Sequence, residues 1–496
     1  MNDSVIILLS VFFPMVTGFL ILLKRTYPSR RALVGVSVLC LGISSVFGIV
    51  AALWAEEGFI ILNMGRNLDI YFHIDELGRM FAIFVTVIWF LACVFSVEYM
   101  KHEEEEKRFY GFYLIAYGAL MALSFAGNMV TYYFFFEMMT LVSLPLVLHS
   151  RKREAIQAGI KYMLYSLCGA YMCLMAIYFL NHYATSLNFT PGGCLDKVLM
   201  VGHEGVLRAM AFLTVIGFGV KSGMFPMHGW LPTAHPVAPA PASAVLSGII
   251  VKFGVLGVIR SIYYLFGVDF IRGTWVQTAW IVLSLITIFM GSMLAYREKM
   301  LKKRFAYSTV SQVSYILFGL ALLTPQAMTG SLLHAVFHAC IKSCLFLSAG
   351  AIIYKTGKTK VAQLTGIGKQ MPVLLWCYTF AALALVGIPP FSGFISKWYL
   401  ATGALQSGVP VVEWLGPVIL LISALLTAGY LMTISVDAFL PGNDFDYANL
   451  KKDEPAKMML VPLLILAASV LILGVFPKPL IGYISGIVEN VFLTVQ

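Results

Sequence analysis

The sequence predicts an all-α integral membrane protein of about fourteen transmembrane helices, on three observations. Of its 496 residues, 60% are hydrophobic and only 12% are charged, too little polar surface to wrap a water-soluble core. Stretches such as Val5–Leu23, Val34–Leu53, Met80–Val97 and Trp280–Ala295 carry few or no charges and approach the ~20 residues that cross ~30 Å of hydrocarbon. The basic residues cluster in short segments between these stretches. A β-barrel would show short alternating strands instead.

Taken in order, the predicted helices occupy 4–23, 32–54, 78–98, 110–127, 129–148, 156–180, 207–226, 238–266, 275–295, 305–323, 327–354, 372–400, 413–440 and 457–477, with a short interfacial helix after Pro477. Lysine and arginine test the count. With the N-terminus outside, the inner segments 24–31, 98–109, 149–161, 227–237, 296–304, 355–371 and 441–457 carry 23 of the 34. The outer segments carry 6 and the spans 5. This is the positive-inside asymmetry, and it puts both termini on the outer side. The net charge of +10 therefore does not point to nucleic acid. The acidic start (Asn2, Asp3) with no small-residue cleavage site reads as a first membrane helix, not a cleaved signal. The longest polar stretches are 55–77, 181–206 and 441–457, and the run Glu103–Glu106 reads as a solvated loop, with a contact to a basic partner as the alternative.

Cysteine gives no site. Cys40, Cys93, Cys168, Cys173, Cys340, Cys344 and Cys377 fall inside apolar spans and Cys194 in a polar loop, with neither zinc nor disulfide spacing. There is no glycine-rich nucleotide loop, iron–sulfur spacing or haem signature, so no cofactor is expected on this chain.

Charge inside the spans is the functional signal. A lysine or aspartate at mid-bilayer costs about 2.5–3.5 kcal/mol on insertion scales. Near a helix end it can snorkel to the headgroups, but several deep charges in different helices must face the bundle interior. Glu137 sits mid-way along the fifth predicted helix, in Tyr133-Phe134-Phe135-Phe136-Glu137-Met138. Its expected partner is Lys221, in the seventh. A nearby carboxylate raises the proton affinity that burial lowers, so the pair can load and unload a proton. Lys252 lies in the eighth helix, with Arg260 on a similar face nearer the outside, as a relay and an end-of-helix anchor respectively. His334, His338 and Lys342 are spaced by four, which places them on one stripe of the eleventh helix; histidine titrates near neutral pH. His-x-x-x-His can bind zinc, but the acid of the metalloprotease signature is missing and Lys342 would repel a cation.

Lys397 follows Gly387-Ile388-Pro389-Pro390-Phe391-Ser392-Gly393 in the twelfth helix, and Lys221 precedes Gly223-Met224-Phe225-Pro226-Met227-His228-Gly229-Trp230-Leu231-Pro232. Neither stretch can stay helical. A break inside a membrane is tolerated where protein or water satisfies the freed groups. The breaks lie five helices apart, so helices four to eight and nine to thirteen read as two repeats. An odd number of helices per repeat makes them inverted. The expected organisation is thus a three-helix segment 1–109, a first repeat 110–266, a second repeat 275–440, and a last helix and tail 441–496.

The motifs Phe135-Phe136-Glu137, Lys221 to Pro236, Ala306-Tyr307-Ser308-Thr309-Val310-Ser311-Gln312, His334 to Lys342 and Gly387 to Lys397 resemble the antiporter-like subunits shared by respiratory complex I, Mrp-type sodium/proton antiporters and membrane-bound hydrogenases, over roughly 70–480. The resemblance implies that Glu137 and Lys221 act as the family's glutamate–lysine pair and Lys252 as its relay. It implies that His334, His338 and Lys342 lie on a central polar axis, and that Lys397 is the exit-side lysine. His228, His235, Arg260 and Asp437 are accessory candidates. Thr233 stands where an acid often precedes Ala-His. Lys397 in place of glutamate argues against one complex I type. The lack of a long C-terminal extension argues against another. Ala234-His235-Pro236-Val237-Ala238-Pro239 followed by Ser243-Ala244-Val245-Leu246-Ser247-Gly248 is most similar to the hydrogenase-linked and Mrp-like branch.

The implied function is translocation of H⁺, with Na⁺ left open, by one subunit of a multisubunit complex in the inner (cytoplasmic) membrane of a prokaryote. The partners would be other membrane subunits. Any redox activity, whether hydrogenase, NADH or ferredoxin linked, would belong to them. The rival class is a stand-alone carrier of an organic solute. That would need a substrate-sized cavity of mixed polarity, whereas these buried charges are mainly basic and strung along a line.

Overall fold

A computed structural model describes residues 3–24, 27–65, 67–442 and 451–493. Arg25 and Arg66, both in the basic-residue count, and part of the 441–457 segment lie outside these. The helices are α1 (Asp3–Leu23), α2 (Arg30–Trp54), α3 (Glu76–Tyr99), α4 (Glu106–Ser124), α5 (Met129–Val147), α6 (Arg153–Tyr183), α7 (Glu204–Ser222) and α8 (Leu231–Val237). They continue with α9 (Ala240–Phe266), α10 (Trp275–Arg297), α11 (Leu301–Ala321), α12 (Pro325–Thr356), α13 (Pro372–Val386), α14 (Ser392–Leu405), α15 (Val412–Phe439), α16 (Lys457–Val475) and α17 (Lys478–Leu493). Eleven helices among the described residues are long and apolar enough to cross a membrane.

Burial sorts these helices. The apolar stretch of α9 is 100% buried and that of α12 is 89% buried, against 39% for α2, α6 and α15. An apolar helix hidden on all sides is the axis of a bundle, and one with an exposed apolar face meets lipid or another subunit. Tyr171, Tyr178, Leu421 and Leu425 form such faces on α6 and α15. Around the axis, α7 packs on α9, α10 on α11, and α12 on α13, α14 and α16.

Helix starts follow local chemistry. The side chains of Ser29, Asp75, Asn128 and Thr324 accept from the backbone N–H three residues on, satisfying donors that a new helix leaves free. One element was not expected. Within the polar stretch 55–77, Phe59–Asn63 and Asp69–Phe72 pair as an antiparallel hairpin, held to the bundle by Tyr71 N–H donating to Thr131 Oγ1 (2.8 Å). Its Ile60, Ile61 and Leu62 are exposed, so the strand shows no alternation that would reveal it.

The solvated-loop reading holds for Glu104 and Glu105, which are exposed, and is corrected for Glu103 and Glu106. Glu106 opens α4 and pairs with Arg30 at 2.7 Å. Glu103 lines a cavity of about 190 Å³ with Tyr99, Pro236, Val237, Ala238 and Lys302. Burial raises the Glu103 carboxyl above its ordinary value, against the pull of Lys302 and Lys152. Four like charges in a row masked a half-buried carboxyl, Glu103, and two separate ion pairs, Glu106 with Arg30 and Glu105 with Arg151.

A buried line of lysines and histidines

Both breaks form at the expected places. Helix α7 stops at Ser222 and Gly223 follows at φ +76°; α13 stops at Val386 and Gly387 follows at φ +92°. These are left-handed values that glycine adopts without a Cβ penalty. Each break is stabilised by protein groups. Trp230 Nε1 donates to Val220 O at 2.8 Å, and Phe225 N–H donates to Thr287 Oγ1 at 3.0 Å. At the second break Lys397 Nζ donates to Leu385 O (2.6 Å) and Val386 O (2.9 Å). The last carbonyls of a helix have no partners in the helix and carry its negative dipole end, so the break is itself the ammonium's counter-charge. Lys397 Nζ also stands 5.3 Å over the Tyr315 ring.

Lys221 is 1% exposed. Its Nζ donates to Tyr162 OH (2.6 Å), Thr140 Oγ1 (2.8 Å) and Ser166 Oγ (3.3 Å). The direct pairing with Glu137 is therefore not seen. Glu137 is half-buried and its Oε1 accepts from Tyr133 OH at 3.3 Å. Thr140 lies one turn beyond Glu137 on α5, and its hydroxyl takes the place expected for the carboxylate.

The centre is assembled by α9 and α12. Gly248 lets them approach: a Cβ there would lie 2.3 Å from Ser343 Oγ. Residues Leu246–Ile250 form a π turn, in which Val251 N–H reaches back to Leu246 O. That leaves the Ser247 carbonyl to Lys252, whose Nζ donates to it at 2.6 Å and lies 2.6 Å from His338 Nδ1. A π turn costs regular hydrogen bonding and recurs at functional sites. Lys342 Nζ donates to Ser308 Oγ (2.7 Å) and Phe305 O (3.1 Å). His334 Nδ1 is 2.9 Å from Ser396 Oγ on α14, and its ring stacks on Tyr315. The one-face stripe of α12 thus faces three helices in turn: α11 at Lys342, α9 at His338 and α14 at His334.

Several buried polar atoms here bond to no protein atom among the described residues: Nε2 of His334 and His338, both ring nitrogens of His235, and the side-chain amide of Gln312. Buried polar groups are ordinarily satisfied by protein or water, and these atoms are left free to exchange hydrogen bonds. His235 is fully buried against Phe346, next in the chain to the 236–238 backbone that lines the Glu103 cavity. Lys302 Nζ donates to Ala238 O there at 2.8 Å. His228 is half-buried beside Phe225 at the first break, and its Nδ1 is likewise unbonded.

Two accessory candidates part from the line. Arg260 is 1% exposed and holds Asp75 through two hydrogen bonds of 2.5 and 2.6 Å, sandwiched between the Phe189 and Tyr264 rings. It is an internal ion pair, not a headgroup anchor. Asp437 is exposed near the end of α15 and does not join the buried groups. Its side chain lies on the outer face of the last turn of α15, whose other face keeps Ile434, Ser435 and Ala438 buried. Sequence reading missed Asp75, Thr140, Tyr162 and Tyr430, and named Ser308 only within a motif. The cap position of Asp75 before Glu76-Leu77-Gly78 was the available signal. Hydroxyls in apolar helices are too common to stand out. Among the described residues, no cluster of three or more His, Cys, Asp or Glu could hold a metal ion.

Comparisons agree with this geometry. Residues 126–427 match the family described as NADH:quinone oxidoreductase/Mrp antiporter, TM, and 62–110 match NADH-Ubiquinone oxidoreductase (complex I), chain 5 N-terminus. NADH-quinone oxidoreductase subunit N of Desulforudis audaxviator is 31% identical over 82% of this chain and 82% of its own. A Na(+)/H(+) antiporter subunit of Alkalihalophilus pseudofirmus is 26% identical over 99% of this chain and 97% of its own. A chain of the Mrp complex from a Dietzia species has the same fold, with a TM-score of 0.84 and 21% identity over 99% of both chains. The family matches, the broken helices and the buried basic line agree: this chain belongs to the NADH:quinone oxidoreductase/Mrp antiporter transmembrane family.

Proposed function

We propose that the chain carries protons across the membrane as one subunit of a larger assembly, and that Glu137, Lys221, Lys252, His334, His338, Lys342 and Lys397 are its proton-carrying groups. The observation that carries this reading is the Lys252–His338 contact at 2.6 Å, between two completely buried groups on the two innermost helices. Stability gives no reason to bury two bases in contact. Proton exchange does, because two such groups hold one proton well and two poorly.

On this reading the chain crosses the membrane fourteen times with both termini outside, as two inverted five-helix units, 110–266 and 275–440. Protons enter from the inside near α8 and α9, where His235 lies under the Glu103 cavity. They pass Lys252 and the α12 stripe and leave by Lys397. Lys221 is loaded under the field of Glu137. The partner is a hydrogenase-linked or Mrp-type membrane module, with an NADH-quinone oxidoreductase module as the less favoured alternative. No cofactor is assigned to this chain, and the oxidoreductase chemistry of such assemblies belongs to their other subunits. A solute carrier is disfavoured by the sites themselves, which are single ammonium and imidazole groups packed against hydroxyls and carbonyls.

The test is proton transport by the assembled complex in membrane vesicles. Lys221→Ala and Glu137→Ala are expected to stop transport while the chain still inserts and assembles. Normal transport by both variants would overturn the proposal.

A further inference from the structure

Helix α11 presents a second polar ladder that the lysine–histidine line does not use. Ser308 Oγ accepts from Lys342 Nζ at 2.7 Å and lies 2.7 Å from Tyr430 OH on α15. Tyr430 OH has a second hydroxyl neighbour, Thr427 Oγ1, at 3.2 Å. Thr427 sits one turn from Ser423, whose Oγ closes a hydroxyl triangle with Ser292 of α10 (2.6 Å) and Ser311 of α11 (3.3 Å); the third side, Ser292 to Ser311, is 2.8 Å. Gln312 follows Ser311, and both ends of its buried amide are unbonded among the described residues. Tyr315 comes next, fully buried, its hydroxyl on Leu420 O (2.9 Å). Its ring carries the Lys397 ammonium on one contact and the His334 imidazole on another.

All of these hydroxyl residues are buried. One or two buried serines are ordinary helix packing, since a serine hydroxyl can bond its own helix's carbonyl. Here three helices turn their hydroxyls toward one another, and the row begins at a lysine ammonium. Its unsatisfied member, Gln312, follows Ser311 of the triangle and precedes Tyr315 along α11. An amide with a free donor and a free acceptor in a buried polar row is a place for water.

We infer that Ser308, Tyr430 and Thr427, continued by water at Gln312, form a second proton path from Lys342 toward the Tyr315–Lys397 end, parallel to the His338–His334 line. The inference rests on the proton-carrying role of Lys342. In each transfer the Tyr430 O–H, which donates to Ser308 Oγ in the structure, first turns toward Thr427 Oγ1; the Lys342 ammonium then gives a proton to Ser308 Oγ as Ser308 passes its own proton to Tyr430 O. Tyr430 passes its proton to Thr427 Oγ1, and Thr427 releases one to the water at Gln312. Each oxygen gains one proton and loses one, and Lys342 is left neutral. Tyr430 has one proton and two hydroxyl neighbours, so the rotation of its O–H bond sets the direction of the row. After a transfer it must turn back before the next.

The experiment compares Tyr430→Phe, Ser308→Ala and Ser308→Thr in the assembled complex, by proton transport into vesicles in H2O and D2O, with Lys252→Met alongside. Tyr430→Phe keeps the ring and the Lys342–Ser308 bond and removes only the relay proton. It is expected to slow transport measurably, down to the share that the His338–His334 line carries alone, because parallel proton routes add and only the positioned relay group of one of them is lost. Ser308→Ala is expected to do the same, and Ser308→Thr, which restores a hydroxyl, to recover most of the rate. The D2O effect is expected to be larger in the wild type than in Tyr430→Phe. Wild-type transport by Tyr430→Phe while Lys252→Met is inactive would overturn the second path and leave the main line standing. Wild-type transport by Lys252→Met would instead strike the main line. Ser308→Thr as slow as Ser308→Ala would mean packing alone, and would also overturn the path. Should Tyr430→Phe fail to assemble, the alanine–threonine pair at 308 decides.

Discussion

Lys252 Nζ and His338 Nδ1 lie 2.6 Å apart with neither residue exposed. At that separation the two bases can hold at most one proton between them, because two adjacent cations in a low-dielectric interior repel strongly. With the lysine charged, Nδ1 must be the accepting nitrogen, which places the imidazole proton on Nε2.

A glutamine at 338 can still offer a carbonyl oxygen to Lys252, and an alanine cannot. His338→Ala is expected to destabilise the chain by about 1.5–3 kcal/mol, the worth of a hydrogen bond to a charged group, and His338→Gln to recover most of it. Denaturation of the purified complex followed by loss of this chain's packing measures the difference. Equal stability of the two variants would mean that the contact contributes nothing.

Arg260 and Asp75 bind each other through two short bonds, with the guanidinium 1% exposed. Asp75→Ala strands that charge and is expected to cost about 3–5 kcal/mol, while Asp75→Ala with Arg260→Met is expected to cost much less, since replacing both members of a buried pair removes the uncompensated charge. Burial raises the Asp75 carboxyl, but the charge and hydrogen bonds of Arg260 and the Gly78 N–H outweigh it, so it titrates below the usual carboxylate range. A depressed carboxyl stabilises the fold above its unfolded value, near pH 4. That stability is lost as pH falls through the lower folded value. A stability curve for the double variant is expected to lack this acid limb.

Gly387 holds φ +92°, and a Cβ there would come within 2.9 Å of Lys397 Cδ. Gly387→Ala is expected to cost about 1–2 kcal/mol of backbone strain and to lift the ammonium off the Leu385 and Val386 carbonyls. Transport is expected to fall with assembly intact, whereas Gly482→Ala, where a Cβ meets nothing within 4 Å, is expected to change neither. A Gly387→Ala variant with full transport rate would show that the Lys397 seat tolerates displacement.

The fold was largely legible because lipid makes apolar length and charge visible at once. The long stretches of α1, α2, α9 and α12 announced themselves, and two prolines beside two glycines announced each break. The lysines and histidines stood out because charge inside a span is costly. What stayed hidden was whatever lipid does not penalise. Thr140 and Tyr162 hold Lys221 where a carboxylate was expected, and no periodicity marks a hydroxyl as a ligand. The hairpin at 59–72 was hidden because its exposed apolar residues do not alternate. Asp75 was hidden because an aspartate at a helix start is an ordinary cap, and only the fold brings Arg260 to it across 185 residues.

The most direct measurement is proton transport by vesicles holding the assembled complex with Lys252→Met, a near-isosteric change that removes the titrating amine. Transport is expected to fall at least about 100-fold, as for loss of an essential proton-transfer group, with the complex intact on native gels. Transport within twofold of the wild type would contradict a proton route through the centre of the bundle.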